Sequence, residues 1–230
     1  MKIATTRLMP LHSGKGRTVA EALDRVTDYV ENPEKTNGGN LVTAYQCNQS
    51  IADQEFLFSK RQYAVITGRE WKDNDVIAYH LRQSFKPGEI TPELANKIGY
   101  DLAMSLTKGK HAFIVCTHVD KQHIHSHIVF NSTAIDCTRK FRNFWRSSFA
   151  VRRISDMLCL ENGLSVIAEP KPSRGNYGTW LGEDKPPTVR GQLEQIIDTA
   201  LGQDCKDFDS FLAAMKTAGA EVKRGKHLAF

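Results

Sequence analysis

No apolar run in this 230-residue chain is long enough to cross a bilayer, and the start Met1-Lys2-Ile3-Ala4-Thr5-Thr6-Arg7 lacks the apolar stretch of a signal peptide. A cytoplasmic protein is the expectation. No C-x-x-C pair occurs either. The five cysteines, at 47, 116, 137, 159 and 205, are odd in number and widely spaced, which argues against both a disulfide framework and a zinc ribbon and leaves them as reduced packing residues. The chain has no P-loop, no serine elbow, no internal repeat and no low-complexity tract. Its net charge of +5 is mild, compatible with an anionic partner and equally with enzymes that have none. What remains is ordinary globular composition, 40% hydrophobic and 25% charged, sufficient for one domain with an appendage or for two small domains.

Against that background one segment is dense in chemistry. His118-Val-Asp120-Lys-Gln-His123-Ile-His125-Ser-His127-Ile-Val-Phe-Asn131 holds four of the eight histidines. Side chains two apart on a strand point the same way, so His123, His125 and His127 are expected on one sheet face, with His118 joining from the end of a preceding strand. Three neutral imidazoles with open positions suit a catalytic divalent cation. His118, His125 and His127 are the natural ligand trio, and Asp120 is placed to accept a ring N–H and fix a tautomer. A single histidine is more often a hydrogen-bonded core or surface residue; four at this spacing reverse that preference. With serine and P-loop chemistry lacking sequence support, the nucleophile left for such a centre is water or a tyrosine hydroxyl.

Periodicity sketches the rest. Lys2–Leu8 reads as a strand, and Val19, Ala22, Leu23, Val26, Tyr29 and Val30 fall at helical spacing up to the stop Asn32-Pro33, which puts Tyr29 in the last turn on the inward side. Residues 41–73 have no clean period and read as irregular or short strands. Val76–Phe85 is a predicted strand. Thr91-Pro92-Glu93 supplies an N-cap, a proline at the first helical position and a first-turn acid for a helix running to Gly109. His111–His118 and His123–Asn131 form a predicted antiparallel pair. A helix is expected over Phe144–Glu161, closed by Asn162-Gly163. A turn-rich stretch, 169–178, marks a boundary or arm. Two helices, Val189–Leu201 and Asp207–Ala218, and a strand over Glu221–Phe230 follow, and the natural protein is expected to continue past residue 230. Between Thr138 and Ser155 there is no acidic residue, but Arg139, Lys140, Arg142, Arg146, Arg152 and Arg153 interleave with Phe141, Phe144, Trp145 and Phe149. That mixture suits either a single-strand nucleic-acid groove or an amphipathic helix with a basic solvated side.

The histidine segment resembles the third motif of the HUH relaxases, which nick the origin of transfer of conjugative and mobilisable elements. Asp28-Tyr29-Val30-Glu31-Asn32-Pro33-Glu34-Lys35-Thr36 is similar to the tyrosine-bearing first motif of the MOBP-type branch. His80-Leu81-Arg82-Gln83-Ser84-Phe85-Lys86-Pro87-Gly88-Glu89-Ile90-Thr91-Pro92-Glu93 resembles the second motif, whose serine lies near the DNA beyond the cut. The stretches 159–166 and 222–227 are also similar to relaxases of integrative elements. His123 departs from the minimal histidine pattern.

The resemblance implies an α/β fold with a central, mainly antiparallel sheet flanked by helices, as in HUH relaxases and replication initiators. The catalytic domain is expected at 1–168 and a small helical, DNA-binding C-terminal extension at 169–230. It implies that Tyr29 attacks a DNA phosphate to leave a 5′-phosphotyrosine and a free 3′ hydroxyl, with Ser84 near the DNA and Asp120 assisting. His118, His125 and His127 would hold Mg²⁺ or Mn²⁺; imidazole chemistry alone would favour zinc. His123 and Asn131 are accessory. The basic stretch 139–153, with Lys223 and Arg224, would grip single-stranded and adjacent duplex or hairpin DNA of the transfer origin. A type IV secretion coupling protein and accessory DNA-binding proteins are the implied protein partners, without membrane insertion. The competing readings are a rolling-circle replication initiator, a metal-dependent hydrolase using water with no covalent DNA intermediate, and a non-catalytic DNA-binding module.

Overall fold

The computed structural model describes residues 5–70, 72, 74–144, 146–168, 189–202, 207–220, 223–224 and 228–229. The chain divides into two compact units, Met1–Pro170 and Lys171–Phe230. The first is an α/β unit built on one antiparallel sheet. Its strands are β1 (Thr5–Leu11), β2 (Val42–Tyr45), β3 (Ala78–Ser84), β4 (Phe113–His118) and β5 (His125–Asn131), in the order β1-β3-β5-β4-β2. Every position of β4 and β5 is buried, because helices cover both faces of the sheet there.

Alternation divides the strands into two cores. Ile114 and Cys116 of β4, Val129 of β5 and Ala78 of β3 pack on one face against Leu23, Val30, Ala52 and Phe56. Those four come from helices α1 (Val19–Glu31) and α2 (Ala52–Thr67). Phe113, Val115, Ile128, Phe130, Tyr79 and Leu81 pack on the other face against α3 (Pro92–Thr107) and α4 (Ser147–Glu161). Helix α3 approaches closely at Gly99, where an added Cβ would lie 2.9 Å from Val115 Cγ1 and 3.3 Å from Ser126 Cβ.

Local signals explain the helix ends. Thr18 and Glu21 form a capping box on α1, with Thr18 N donating to Glu21 Oε2 at 2.8 Å and Glu21 N to Thr18 Oγ1 at 3.2 Å. Thr91 caps α3 as expected, its hydroxyl accepting from Leu94 N. Helix α2 is the element the sequence hides. Its buried stripe is Ala52, Phe56, Lys60 and Tyr63, so a lysine occupies a core position, while Phe58, Val65 and Ile66 of the same helix are exposed. Polar and apolar residues are thereby exchanged between faces, and the period disappears.

The second unit contains helices α5 (Val189–Leu201) and α6 (Phe208–Thr217), which pack on each other. The single strand expected over Glu221–Phe230 is instead a short antiparallel pair, β6 (Lys223–Arg224) with β7 (Leu228–Ala229). The predicted arm at 169–178 lies outside the described residues. No helix among the described residues is long and apolar enough to cross a membrane.

Candidate metal centre and catalytic site

Register brings the histidines together. His118 is directly opposite His125 across β4 and β5, and His127 sits one step further in, opposite Cys116. Paired residues of an antiparallel ladder point to the same face, so all three rings emerge on the α1 side. Their ligand atoms lie within 4.8 Å of one another, and all three residues are buried. The residues between them face the other way. There, Thr117 and Ser126 exchange a hydroxyl hydrogen bond at 2.9 Å and Ser126 donates to Ala95 O of α3, anchoring the hairpin from behind.

Each ring is held by its second nitrogen. His118 Nε2 donates to Val30 O at 2.8 Å, and His125 Nδ1 donates to His123 O at 3.2 Å. A carbonyl can only accept, so these bonds leave His118 Nδ1 and His125 Nε2 as bare lone pairs. His127 Nδ1 lies 2.7 Å from His80 Nε2, while His127 Nε2 is buried without a hydrogen-bond partner. If His127 donates from Nδ1, its orphaned Nε2 becomes the third free lone pair. Burial holds all three rings below the usual histidine range, His127 down to about 2 with the neighbouring histidines and Arg82 adding to the effect. Neutral rings with converging lone pairs are consistent with a metal site.

Helix α1 delivers the tyrosine. The expectation of an inward-facing Tyr29 is not met: Leu23, Thr27 and Val30 form the buried stripe, and Tyr29 is 49% exposed. Its ring stands edge-on to His127 with centroids 5.6 Å apart and to His118 at 6.0 Å. The unpaired carbonyls at the end of α1 account for this placement. Val30 O accepts from His118, so the residue next to the tyrosine is bonded to a ring of the histidine cluster. Asn32 Oδ1 accepts from Glu34 N, and the Thr36 hydroxyl donates to Asn32 O at 3.0 Å. The chain folds back so that Lys35 Nζ sits 4.5 Å from the Tyr29 ring centroid, and Lys35 O accepts from Val119 N at the end of β4. Glu31 has a buried Oε1 with no partner, and burial, reinforced by Asp28 and Asp53, raises its pKa to about 7.

A match over more than half of the chain sets these residues in a family: the family model described as "Relaxase: MobA/VirD2-like, nuclease domain" covers residues 29–164. The chain belongs to this relaxase family. The matched span opens on Tyr29 and includes His118, His125 and His127. The chain is similar to the group II intron-interrupted relaxase LtrB of Lactococcus lactis subsp. cremoris (strain MG1363), at 28% identity over 221 residues, covering 81% of this chain and 39% of that protein. It is also similar to Protein rlx of Staphylococcus aureus, at 28% identity over 233 residues, covering 99% of this chain and 66% of that protein. A second Staphylococcus aureus Protein rlx is 32% identical over 157 residues, 68% of this chain and 45% of that one. The chain thus spans between about two fifths and two thirds of these relatives. A solved structure described as "Molecular Basis of Vancomycin Resistance Transfer in Staphylococcus aureus" aligns over 74% of this chain and all of its own, at 14% identity and TM-score 0.49.

The relaxase domain places the remaining candidates unevenly. Ser84 of β3 is directly opposite His125, on the ligand face. Asp120 is in the β4–β5 turn beside Lys121, where its charge partly offsets the effect of burial on His118 and His125. The expectation that it accepts a ring N–H is not met, because two backbone carbonyls and His80 hold the three rings. His123 lies on the rim, its ring 5.3 Å from that of His125, and contributes its carbonyl. Asn131 is at the far end of β5, buried, accepting from the Lys60 ammonium and donating to Ser59 Oγ at 2.6 Å. It supports packing of α2 on the sheet.

The basic stretch is not beside the histidines. Helix α4 packs against α3 on the opposite face of the sheet. Lys140 pairs with Asp75 at 2.8 Å, and Arg152 pairs with Asp156 at 3.3 Å and donates to Ile167 O at 2.8 Å. Arg139, Arg142, Arg146 and Arg153 are exposed, and Phe144 and Phe149 with Arg146 and Arg153 line an open depression of about 410 Å³. Trp145 and the side chains of Lys223 and Arg224 lie outside the described residues. His80 is the residue sequence reasoning missed. Its signal was present, since His80 and Ser84 share a parity on β3, but only the β3–β5 register reveals that this parity meets His127.

Proposed function

We propose that this chain nicks and rejoins one DNA strand at an origin of transfer through a 5′-phosphotyrosine intermediate, starting conjugative transfer. The observation that carries this reading is the Tyr29 ring, half exposed and edge-on to two of the three clustered histidines. His118, His125 and His127 would hold the ion through the nitrogens left free by Val30, His123 and His80. Mg²⁺ or Mn²⁺ bound there would supply neutralisation of the charge that develops on the reacting phosphate.

The chain's own residues do the rest. Lys35 and the Val30–His118 bond hold the Tyr29 ring in one orientation, which reduces the entropy lost on reaching a phosphate. The Tyr29 oxygen forms a bond to phosphorus as the bond from phosphorus to the 3′ oxygen breaks. The phenolic proton passes to solvent or to the Asp120 carboxylate, and the departing 3′ oxygen takes up a proton. The ester bond in the intermediate keeps the step reversible, so the same site can rejoin ends. Ser84 faces the strand beyond the cut. A coupling protein of a type IV secretion system and accessory DNA-binding proteins belong to the same reading.

The test is covalency. Full chain incubated with Mn²⁺ and pooled single-stranded oligonucleotides is expected to give a slow-migrating adduct, with mass spectrometry placing the DNA on the peptide containing Tyr29. Tyr29→Phe is expected to form none. Cleaved DNA free of protein from the wild type, or an undiminished adduct from Tyr29→Phe, overturns the reading.

A further inference from the structure

Beside the ligand trio the sheet carries an arrangement that folding alone disfavours. Arg7 of β1 is directly opposite Arg82 of β3, and Arg82 is directly opposite His127 of β5. Like charges facing each other across strands are destabilising. Both arginines are exposed, and among the described residues neither belongs to an ion pair. Arg82 acts on the site electrostatically, adding to the burial that keeps His80 and His127 neutral. Parity puts both guanidinium-bearing side chains on the ligand face, in one cross-strand row, Arg7, Arg82, His127, with strands about 4.8 Å apart. In the adjacent row stand Thr5, Ser84, His125 and His118. Helices α1 and α2 pack on the β4 and β5 side of this face, and among the described residues Thr5, Arg7 and Arg82 are exposed on its β1 and β3 side.

We propose that Arg7 and Arg82 form a two-guanidinium clamp for the sugar-phosphate backbone of single-stranded DNA, positioning the strand on the β1 side of the histidine centre. This inference rests on the proposed function for its substrate and adds the route by which that substrate reaches the site. A polyanion relieves the repulsion between the two charges, and guanidinium forks bind phosphate oxygens in pairs. Arg7 and Arg82 are positioning residues, because they touch phosphates other than the one that reacts. The route also differs from one along α4, which packs on the opposite face of the sheet.

The experiment measures binding of fluorescent oligo(dT) by the full, Mn²⁺-loaded chain over a salt series, for wild type, the Arg7→Gln/Arg82→Gln double variant and the Arg7→Lys/Arg82→Lys double variant. Each phosphate contact to single-stranded DNA contributes about −0.7 to the slope of log affinity against log salt. Loss of both should flatten the slope by about 1.4, and lysines should restore most of it. Because the double glutamine variant removes a like-charge pair, it is expected to melt no lower than wild type, so weaker binding would not reflect unfolding. A folded double glutamine variant with unchanged slope and affinity overturns the clamp. Adduct formation is read in parallel: a wild type that shows the salt effect but forms no tyrosine adduct refutes the catalytic reading and leaves the clamp standing. Normal adduct formation with an unchanged slope does the reverse.

Discussion

Replacing His80 by phenylalanine should weaken divalent-ion binding at the histidine cluster without dismantling the sheet. His80 touches no ligand lone pair; it meets His127 Nδ1 across 2.7 Å in a buried setting. If His127 is the donor in that contact, its proton is on Nδ1 and its lone pair is on the orphaned Nε2. Phenylalanine fills similar space but accepts nothing. His127 must then either bury an unpaired N–H, at about 1–3 kcal/mol, or move its proton to Nε2 and withdraw as a ligand. Losing a partner of this kind lowers metal affinity by about 10–100-fold, or about 1.4–2.8 kcal/mol, a range that agrees with the hydrogen-bond estimate. Isothermal titration with Mn²⁺ measures it. His80→Gln, whose side-chain carbonyl can accept from His127 Nδ1, should bind within a few-fold of wild type, separating tautomer control from packing. Wild-type Mn²⁺ affinity in a His80→Phe variant that melts normally would refute the reasoning.

Two further outcomes concern stability. Burial, reinforced by the Lys140 charge, lowers the folded-state pKa of Lys60 to about 7 from the usual 10.5, so between those values the unfolded chain binds more protons and stability rises with pH. The rise attributable to Lys60 is about 2 kcal/mol from pH 7 to about pH 9, and denaturant titrations of wild type and Lys60→Met should differ by that slope; parallel curves would show that Lys60 is solvated. At Gly99 an alanine Cβ meets Val115 Cγ1 at 2.9 Å, a clash of about 1–3 kcal/mol that the better helix propensity of alanine offsets by about 1. Thermal melting should show a net loss for Gly99→Ala that Val115→Ala reduces in combination, and an unchanged melting temperature for the single variant would contradict the close approach.

Local patterns carried a large share of this protein. Period-two spacing identified the histidine strand, the six residues between His118 and His125 fitted an antiparallel return, and Thr91-Pro92 fixed the start of α3, because capping, turns and alternation depend on residues close in sequence. Helix α2 stayed hidden since Lys60 occupies a core position where its partner, Asn131, lies on a distant strand. The inward reading of Tyr29 failed for a related reason. A helical period describes one helix face, while the partner of Tyr29 is the end of a sheet that the helix period does not describe.

The sequence by itself determined which side chains are the candidates for the chemistry: three imidazoles two residues or one hairpin apart, and a tyrosine at a helix end. Only the tertiary structure decided how they are placed relative to one another. The pairing of β3 with β5 joins His80 to His127 across 47 positions and lines Arg7 and Arg82 up with the centre. It also makes the sheet a partition, with α4 and its basic residues on the far side. Strand register and the choice of face are set by contacts summed over the whole sheet, and no local stretch of chain contains that sum.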